Sequence, residues 1–512
     1  MNKEEIKKWL NSNENKLLVL IIAFAIILRV FYFFKLGEQS IWWDEGDYLA
    51  IAKVWASNME TPEWWAHFTS IRPLFIPVLF TILFKIGFSE LAVRFFLLLI
   101  PSILTIYLVY ALGRDLYSKE TGLIASFIMS VYWVFFFYSF RLLTDIPSLF
   151  LGMLSLYFFW SQYYTKNKPL GLYLSILFGV LAFSTRFPQA LVLISIFLFL
   201  LLTNKLKIFK DKTILKSLVF GIILLLPYLL YFYYTDFSLF QMYFGERAVS
   251  IKNPFAFNIL LMFPSFFHSV LFIFLIIGLL VLLSSFLFFD IFWKQQDKRL
   301  NPDFFMLLFI IIHLFFYIFI IRAANDRWLL MLMPFLFLVS AKGILFVYSK
   351  VKKYNKYFAM IFLIIVFFLG AYQQLSHSSN LINEKKNTYN EIKLAGNWLK
   401  ENTEKNAKII TASIVQNQYY SERQSFDFHG ENVSSSCFEL SGAIVLNESC
   451  QYLSELAFNK KRAKINPDYM VVSLFEPVFT PQWVYAYPQK YNLTTVQVYM
   501  QNNQPILIIY KL

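Results

Sequence analysis

Two groups of acidic residues in this 512-residue chain have the neighbours that chemistry at a phosphate would need. The first is the Asp44-Glu45 pair, and the second is Asp145, four residues after Arg141. A carboxylate can act as general base on a hydroxyl group. Arginine binds phosphate in a bidentate manner and keeps its charge at any working pH. These residue types fit a reaction in which a hydroxyl displaces a phosphate, with arginine stabilising the charge that develops on the leaving group.

Further ionisable side chains lie near the ends of apolar runs. Charged groups at membrane depth are costly, so those that persist usually have a partner or a function. Besides the residues above, the set includes Arg29, Arg72, Arg94, Arg186, Glu246, Arg247, His268, Arg322, Asp326 and Arg327. We place these positions on the outer side of the membrane. Carboxylates of the first outer loop and arginines of several others are expected to converge on one outward-opening cavity.

Each of these features also has a plainer interpretation. The Trp42-Trp43 pair is typical of an interfacial aromatic anchor, and the carboxylates that follow it could face water from a loop. Arg141 and Asp145 could form only an ion pair on one helix face. His268 stands among phenylalanines and is better interpreted as a structural histidine than as a metal ligand.

The elements that must position these residues are membrane spans. Hydrophobic residues make up 58% of the chain and charged residues 15%, against about 45–50% and about 25% in soluble globular proteins. Apolar runs of about 17–25 residues, the length that crosses a bilayer, recur from Lys16 to about Gln374 and then stop. The sequence therefore predicts a polytopic α-helical membrane protein, with a transmembrane catalytic domain over 1–374 and a soluble domain over 375–512.

About eleven spans are predicted, and counts of eleven to thirteen fit the pattern. The eleven cover residues 17–34, 91–112, 121–138, 143–162, 170–186, 188–203, 214–234, 264–289, 303–321, 328–347 and 357–374. The segment 73–88 is apolar but short, and it contains a proline. We expect it to lie in the outer leaflet as an interfacial helix of a long first outer loop, about 35–90.

Basic residues set the predicted orientation. The net charge of +14 comes mostly from lysines and arginines in short loops between apolar runs, which the positive-inside rule places in the cytoplasm. This pattern predicts a multi-pass plasma-membrane protein with a cytoplasmic N-terminus and, with eleven spans, an extracytoplasmic C-terminal domain. It also argues against nucleic acid as a partner, because the basic residues follow the loops.

The C-terminal region has the patterns of a small α/β domain. Residues 390–400 predict an amphipathic helix. Strands are predicted at 408–411, 470–472 and 506–510. The only two cysteines, Cys437 and Cys450, fall in this region. An exported domain with one disulfide is the favoured interpretation, and two free thiols are the alternative.

The segment Trp43–Tyr48, with the sequence WDEGDY, resembles a motif of the GT-C type glycosyltransferases that use polyprenyl-phosphate sugars. This family includes the protein O-mannosyltransferases and the aminoarabinose transferases of lipid A, and it carries an Asp-Glu pair followed by Tyr. The resemblance covers about residues 15–350. It implies that Asp44 is the catalytic carboxylate and that Glu45 and Tyr48 line the substrate site.

Further elements are similar to those of the family. Arg72-Pro73-Leu74 resembles a basic-Pro-apolar element, which implies that Arg72 contacts the donor phosphate. A second block makes Asp145 the second acidic residue of the site. Arg327-Trp328-Leu329-Leu330 resembles the family's Arg-Tyr-Leu-Leu element and implies a phosphate-side arginine. Arg141 and Arg247 complete the predicted substrate-binding set.

The chemistry and the resemblance together predict an inverting glycosyltransferase. It would move a hexose, such as mannose, or a pentose from dolichyl or undecaprenyl phosphate to a hydroxyl of a protein, lipid or glycan acceptor outside the membrane. The lipid tail of the donor would lie among the spans and the membrane lipids. The arginines could neutralise a monophosphate without a metal, and a divalent metal is left open. The alternatives are an oligosaccharyltransferase-like enzyme and a transporter or flippase of lipid-linked sugars.

Overall fold

The structure is a computed structural model that describes most of the chain in seven stretches. These are residues 12–56, 73–234, 256–285, 300–323, 325–430, 454–474 and 480–512. The predictions that concern Arg72, Arg247, Cys437 and Cys450 therefore fall outside the described residues.

Helices make up the membrane part of the described chain. In chain order they are α1 (Asn13–Leu36), α2 (Trp43–Ala56), α3 (Phe75–Lys85), α4 (Glu90–Leu116), α5 (Lys119–Val131), α6 (Trp133–Tyr138), α7 (Asp145–Tyr157), α8 (Pro169–Thr185), α9 (Phe187–Lys210), α10 (Lys212–Tyr234), α11 (Phe257–Ser284), α12 (Asn301–Ile321), α13 (Met333–Tyr354) and α14 (Lys356–Lys385). Each of the eleven predicted spans falls on one or two of these helices, which confirms the polytopic helical architecture.

Eight helices in the described stretches are long and apolar enough to cross a membrane: α1, α4 and α9 to α14. The other three predicted spans are shorter or interrupted. The span predicted at 121–138 divides into α5 and α6, that at 143–162 is α7 continued by π-helical turns over Phe158–Tyr164, and that at 170–186 is α8. Sequence hydropathy predicts these spans because it measures the length of an apolar run. It does not show where a helix is interrupted within the run.

The interruption between α5 and α6 is satisfied by a neighbouring helix. Tyr132 leaves the helical region with φ −56° and ψ 120°. The backbone N–H of Trp133 then donates to Gln374 Oε1 on α14 at 3.0 Å, and Gln374 Nε2 donates to the carbonyl of Phe266 on α11 at 2.9 Å. Because buried backbone donors must be paired, this glutamine allows the chain to bend before it reaches Arg141.

Close helix packing holds the membrane part together. A Cβ atom on Gly343 of α13 would lie 2.2 Å from the carbonyl oxygen of Phe274 on α11, so the two backbones meet at a position that only glycine fits. Small residues at helix interfaces permit such approach in membranes.

Arg29, predicted near the outer face, is fully buried and donates from Nε to Ser102 at 3.1 Å and from Nη1 to the Ser130 carbonyl at 3.0 Å. Arg29 therefore cross-links α1, α4 and α5.

The C-terminal region is a small α/β domain, as predicted. Its elements are α15 (Asn390–Asn402), β1 (Lys408–Thr411), α16 (Ile414–Ser421), β2 (Gln424–Phe426), α17 (Glu455–Ile465), β3 (Tyr469–Ser473), α18 (Trp483–Lys490), β4 (Thr494–Gln501) and β5 (Gln504–Lys511). The sheet has the order β2-β1-β3-β5-β4, with β1 parallel to both of its neighbours and β5 antiparallel to both of its own. The predicted boundary after residue 374 lies inside α14, which continues to Lys385 because helical hydrogen bonding continues where the apolar run ends.

Candidate active site

A cavity of about 310 Å³ lies at the ends of several membrane helices. Its walls come from the start of α2 and of α7, the junction of α8 and α9, and the end of α12 with the turn that follows it. The residues that line it are Asp44, Tyr48, Pro73, Leu143, Thr144, Asp145, Arg186, Phe187, Pro188, Tyr317, Ile321, Arg327 and Trp328. Four of the predicted site residues in the described stretches meet here: Asp44, Tyr48, Asp145 and Arg327.

Asp44 lies in the first turn of α2, where the helix dipole favours a negative charge. Its Oδ2 atom is 2.5 Å from Nη2 of Arg327, a residue that is 283 positions away in sequence. About a quarter of each side chain remains exposed, 26% for Asp44 and 22% for Arg327. The pair is therefore in contact with the cavity and accessible to a ligand.

Asp145 connects this pair to a second arginine. It opens α7 and is almost fully buried, with 1% of its side chain exposed. Arg327 Nη1 lies 3.7 Å from Asp145 Oδ2, and Arg186 Nη1 forms an ion pair with Asp145 Oδ1. The four side chains thus alternate in charge in the order Asp44, Arg327, Asp145, Arg186.

The turn that carries Arg327 is held in place by its neighbours. It spans Asp326–Met331, and the side chain of Asn325 accepts a hydrogen bond from the backbone N–H of Arg327. Tyr317 on α12 donates to the carbonyl of Trp328 at 2.8 Å, and Tyr138 donates to Asp326 Oδ1 at 3.1 Å. The guanidinium therefore projects from a braced turn.

Electrostatics favour a permanent cation at Arg327. Burial lowers the pKa of its guanidinium, but the charge of Asp44 and the hydrogen bond to it raise this pKa by more, so the net shift is upward. In the same turn, burial raises the pKa of Asp326, opposed by hydrogen bonds from the Arg327 backbone and from Tyr138.

Glu45 and Arg141 were predicted to contact substrate, but in the structure both are buried and neither lines the cavity. Glu45 is fully buried and accepts from the backbone N–H of Trp42 at 2.7 Å and of Leu142 at 2.5 Å, and it forms an ion pair with Arg141 Nη2. The Arg141 guanidinium also stacks 4.0 Å from the Trp42 ring and donates to Gln39 Oε1 at 2.8 Å. These contacts use both carboxylate oxygens, so the pair joins the segment before α2 to the segment before α7.

A known protein family matches a part of the chain that includes Asp145 and Arg186 of the cavity. Residues 71–231 match the family model described as dolichyl-phosphate-mannose-protein mannosyltransferase. An uncharacterized protein of Aquifex aeolicus is 28% identical over 361 residues, which are 67% of this chain and 67% of that protein.

Two solved structures resemble the whole chain. The oligosaccharyltransferase of Archaeoglobus fulgidus in its apo form has a TM-score of 0.64 at 14% identity, over 91% of this chain and 70% of its own. ArnT from Cupriavidus metallidurans bound to undecaprenyl phosphate has a TM-score of 0.61 at 12% identity, over 96% and 97%. The chain therefore has the same overall fold as these two structures. Together with the partial match to the mannosyltransferase family model, this confirms the resemblance to the GT-C type glycosyltransferases drawn from the sequence.

Two cavity residues with ionisable side chains, Arg186 and Tyr317, were not assigned to the site from the sequence. Arg186 was noted only as an outer ionisable residue, yet it pairs with Asp145. Its signal is an arginine between two apolar runs on the side where the positive-inside rule disfavours basic residues. Tyr317, one of 31 tyrosines, stands inside an apolar run and offers no signal.

Two further ionisable residues that the sequence analysis placed on the outer side, Arg94 and His268, do not line the cavity. Arg94 donates to the carbonyl of Gln39 at 3.1 Å, and the ring of His268 lies 5.2 Å from the ring of His377. In the part of the chain that the structure describes, no group of three or more His, Cys, Asp and Glu side chains could hold a metal ion.

Proposed function

We propose that the protein transfers a sugar from a polyprenyl-phosphate donor to an acceptor hydroxyl, with inversion at the anomeric carbon, on the outer side of the membrane. The observation that supports this most is the alternating set of Asp44, Arg327, Asp145 and Arg186 around one cavity. It combines a partly exposed carboxylate with two cations at the same place.

Asp44 is the proposed general base. In the reaction, its carboxylate takes the proton of the acceptor hydroxyl while the hydroxyl oxygen forms a bond to the anomeric carbon. The bond from that carbon to the phosphate oxygen breaks, and its electron pair stays on the polyprenyl phosphate. A single displacement of this kind inverts the anomeric configuration.

Arg327 and Arg186 are the proposed phosphate ligands. The leaving phosphate gains negative charge in the transition state, and fixed cations in a cavity with little water stabilise that charge strongly. Asp145, which contacts both arginines, positions them before the donor arrives. That Arg72 contacts the donor phosphate and that Arg247 binds substrate remain predictions.

Glu45 and Arg141 are proposed to position the two outer loops. Their buried ion pair joins the loop that carries Asp44 to the loop that carries Asp145. A displacement of reacting groups by about 1 Å can cost about a hundredfold in rate, so this brace supports turnover without contact to substrate.

The lipid nature of the donor is supported by the relatives. The matched family model names a dolichyl-phosphate sugar, ArnT has been solved with undecaprenyl phosphate, and the archaeal oligosaccharyltransferase AglB has been solved with a dolichol-phosphate. The cavity also borders apolar side chains, Phe187 and Ile321 among them. A prenyl chain could leave the cavity along such a surface.

The test uses vesicles that contain the purified protein and a polyprenyl-phosphate hexose labelled in the sugar, with membrane extract as the source of acceptor. We expect the label to leave the lipid and appear in acceptor material, together with free polyprenyl phosphate. Protein-dependent movement of the intact labelled lipid across the vesicle membrane, without cleavage, would instead establish a flippase.

A further inference from the structure

Helix α16 of the C-terminal domain lies directly against α2, the helix that carries Asp44. A Cβ atom on Gly46 would lie 2.4 Å from Cγ1 of Val415, a distance that real side chains do not tolerate. At the start of α2, the backbone N–H of Ile41 donates to the hydroxyl of Tyr420 at 2.9 Å. The two helices therefore meet with backbone and side chain in contact.

A second tyrosine of α16 contacts the other end of α2. The Nζ atom of Lys53 lies 3.6 Å from the centre of the Tyr419 ring, a cation–π contact. The Tyr419 hydroxyl donates to Glu90, at the start of α4. Tyr419 and Tyr420 are both buried and belong to the same apolar core as the membrane helices. The contact with α16 thus extends along the length of α2.

The geometry of α2 places the catalytic and docking positions on opposite sides. Successive residues of an α-helix are about 100° apart around its axis, so Asp44 and Gly46 are separated by about 200°. Asp44 lines the cavity and Gly46 meets Val415. Glycine is also unfavourable inside a helix, and the close approach of α16 accounts for its presence here.

We infer that the C-terminal domain positions Asp44, because α16 holds α2 from behind and keeps the carboxylate against Arg327. Its effect on turnover rests on the proposed function. The docking itself does not depend on that function. In this account Gly46, Val415 and Tyr420 are positioning residues, since none of them lines the cavity.

The test is a double-mutant cycle in the full-length protein with Gly46→Ala, Val415→Ala and the two together. Gly46→Ala forces α2 away from α16, and we expect kcat to fall by about a hundredfold while donor binding is retained. Val415→Ala removes the methyl groups that clash and is expected to have a smaller effect. In the double variant, most of the lost kcat should return, as expected for two residues in contact.

Gly343→Ala provides a matched control, since it also introduces a clash between helices, but between α13 and α11 and not with α16. Addition of Val415→Ala to that variant should restore nothing. Rescue there as well, or the absence of rescue in the Gly46→Ala background, would overturn the inference.

Hydrogen exchange separates failure of the inference from failure of the proposed function. Gly46→Ala should accelerate exchange in residues 41–50, where Ile41 loses Tyr420, and in 325–331, where Arg327 loses Asp44. The double variant should restore both. Should the wild type transfer no sugar, the proposed function fails and the exchange data still decide the docking. Unchanged exchange in 325–331 would show that α16 does not position the site.

Discussion

Two clusters of charged side chains, one at each end of the helices, differ in what they can do. The cavity near the end of α12 holds Asp44, Asp145, Arg186 and Arg327 around about 310 Å³ of open space. The cluster near the start of α12 centres on Asp303, and both oxygens of its carboxylate have protein partners.

Three side chains contact the two carboxylate oxygens of Asp303. Lys342 lies 2.5 Å from Oδ1, Tyr117 donates to the same oxygen at 2.7 Å, and Ser285 donates to Oδ2 at 2.8 Å. At the cavity, by contrast, Arg327 is 3.7 Å from Asp145 and a quarter of Asp44 is exposed. We infer that an ionisable residue at membrane depth indicates a functional site when it borders open space and its side chain remains accessible to a ligand.

The largest expected effect is on turnover at the cavity. Asp44→Asn removes the proposed base while keeping its shape, and kcat should fall by about 10³-fold. Asp115→Asn is the control, since Asp115 also pairs with an arginine, Arg114, at 2.6 Å but lies away from the cavity. Sugar-transfer rates measure both variants. Similar losses in the two would contradict a special role for the cavity.

The second effect concerns stability at the Asp303 cluster. Asp303→Asn leaves the Lys342 ammonium, whose side chain is 16% exposed, without its counter-charge, and such a change in a largely buried pair costs about 3 kcal/mol of unfolding free energy. Asp44→Asn should cost under about 1 kcal/mol because its ion pair is partly exposed. Thermal unfolding in detergent measures both. The distinction between the clusters fails if Asp44→Asn is the more destabilising of the two.

A smaller effect is expected at the buried ion pair of Glu45 and Arg141. Glu45→Gln preserves the shape of the side chain but weakens its bond to Arg141, so we expect kcat to fall about tenfold with donor affinity unchanged. Glu38→Gln is the matched control, because Glu38 is in the same loop but is 79% exposed. A loss of donor affinity in Glu45→Gln, with kcat retained, would return Glu45 to the substrate-binding set.

The smallest effect is expected in the C-terminal domain, at the contacts of Asp427 with Lys461 and His429. Burial raises the pKa of Asp427, but the hydrogen bond from His429 and the charge of Lys461 outweigh it, and the net shift is downward. The contribution to stability is therefore complete above the ordinary aspartate pKa of about 4 and is lost as the pH falls through the folded value. Its size should be about 1 kcal/mol or less. Unfolding of the wild type and of Asp427→Asn between pH 7 and pH 3 should differ least at pH 3.

The sequence predicted the helical framework and the main residues of the cavity because both depend on residue type. Apolar runs place each span, and the cost of burying charge marks a wider set of ionisable residues. The family resemblance selects Asp44, Asp145 and Arg327 from that set. The C-terminal α/β domain was also predicted, since its strands and its amphipathic helix have clear periodicity.

The sequence could not predict which neighbouring residue faces the cavity. Asp44 and Glu45 are adjacent, and on a helix they point about 100° apart, so one lines the cavity and the other is buried. Likewise, Arg141 was predicted as a ligand and Arg186 was not. The ion pair that turns Arg141 toward Glu45 joins distant segments of the chain, so no local pattern reveals it. The contact of α16 with α2 joins residues about 370 apart in sequence and leaves no local pattern.

The most direct measurement is a single-turnover experiment with labelled donor bound in advance to the wild type and to Asp44→Asn. Acceptor extract is then added, and polyprenyl phosphate and transferred sugar are followed together. The account predicts that the wild type releases both in equal amounts, while Asp44→Asn holds the donor intact. Equal release from the two proteins, or release of intact donor from either, would contradict transfer at Asp44.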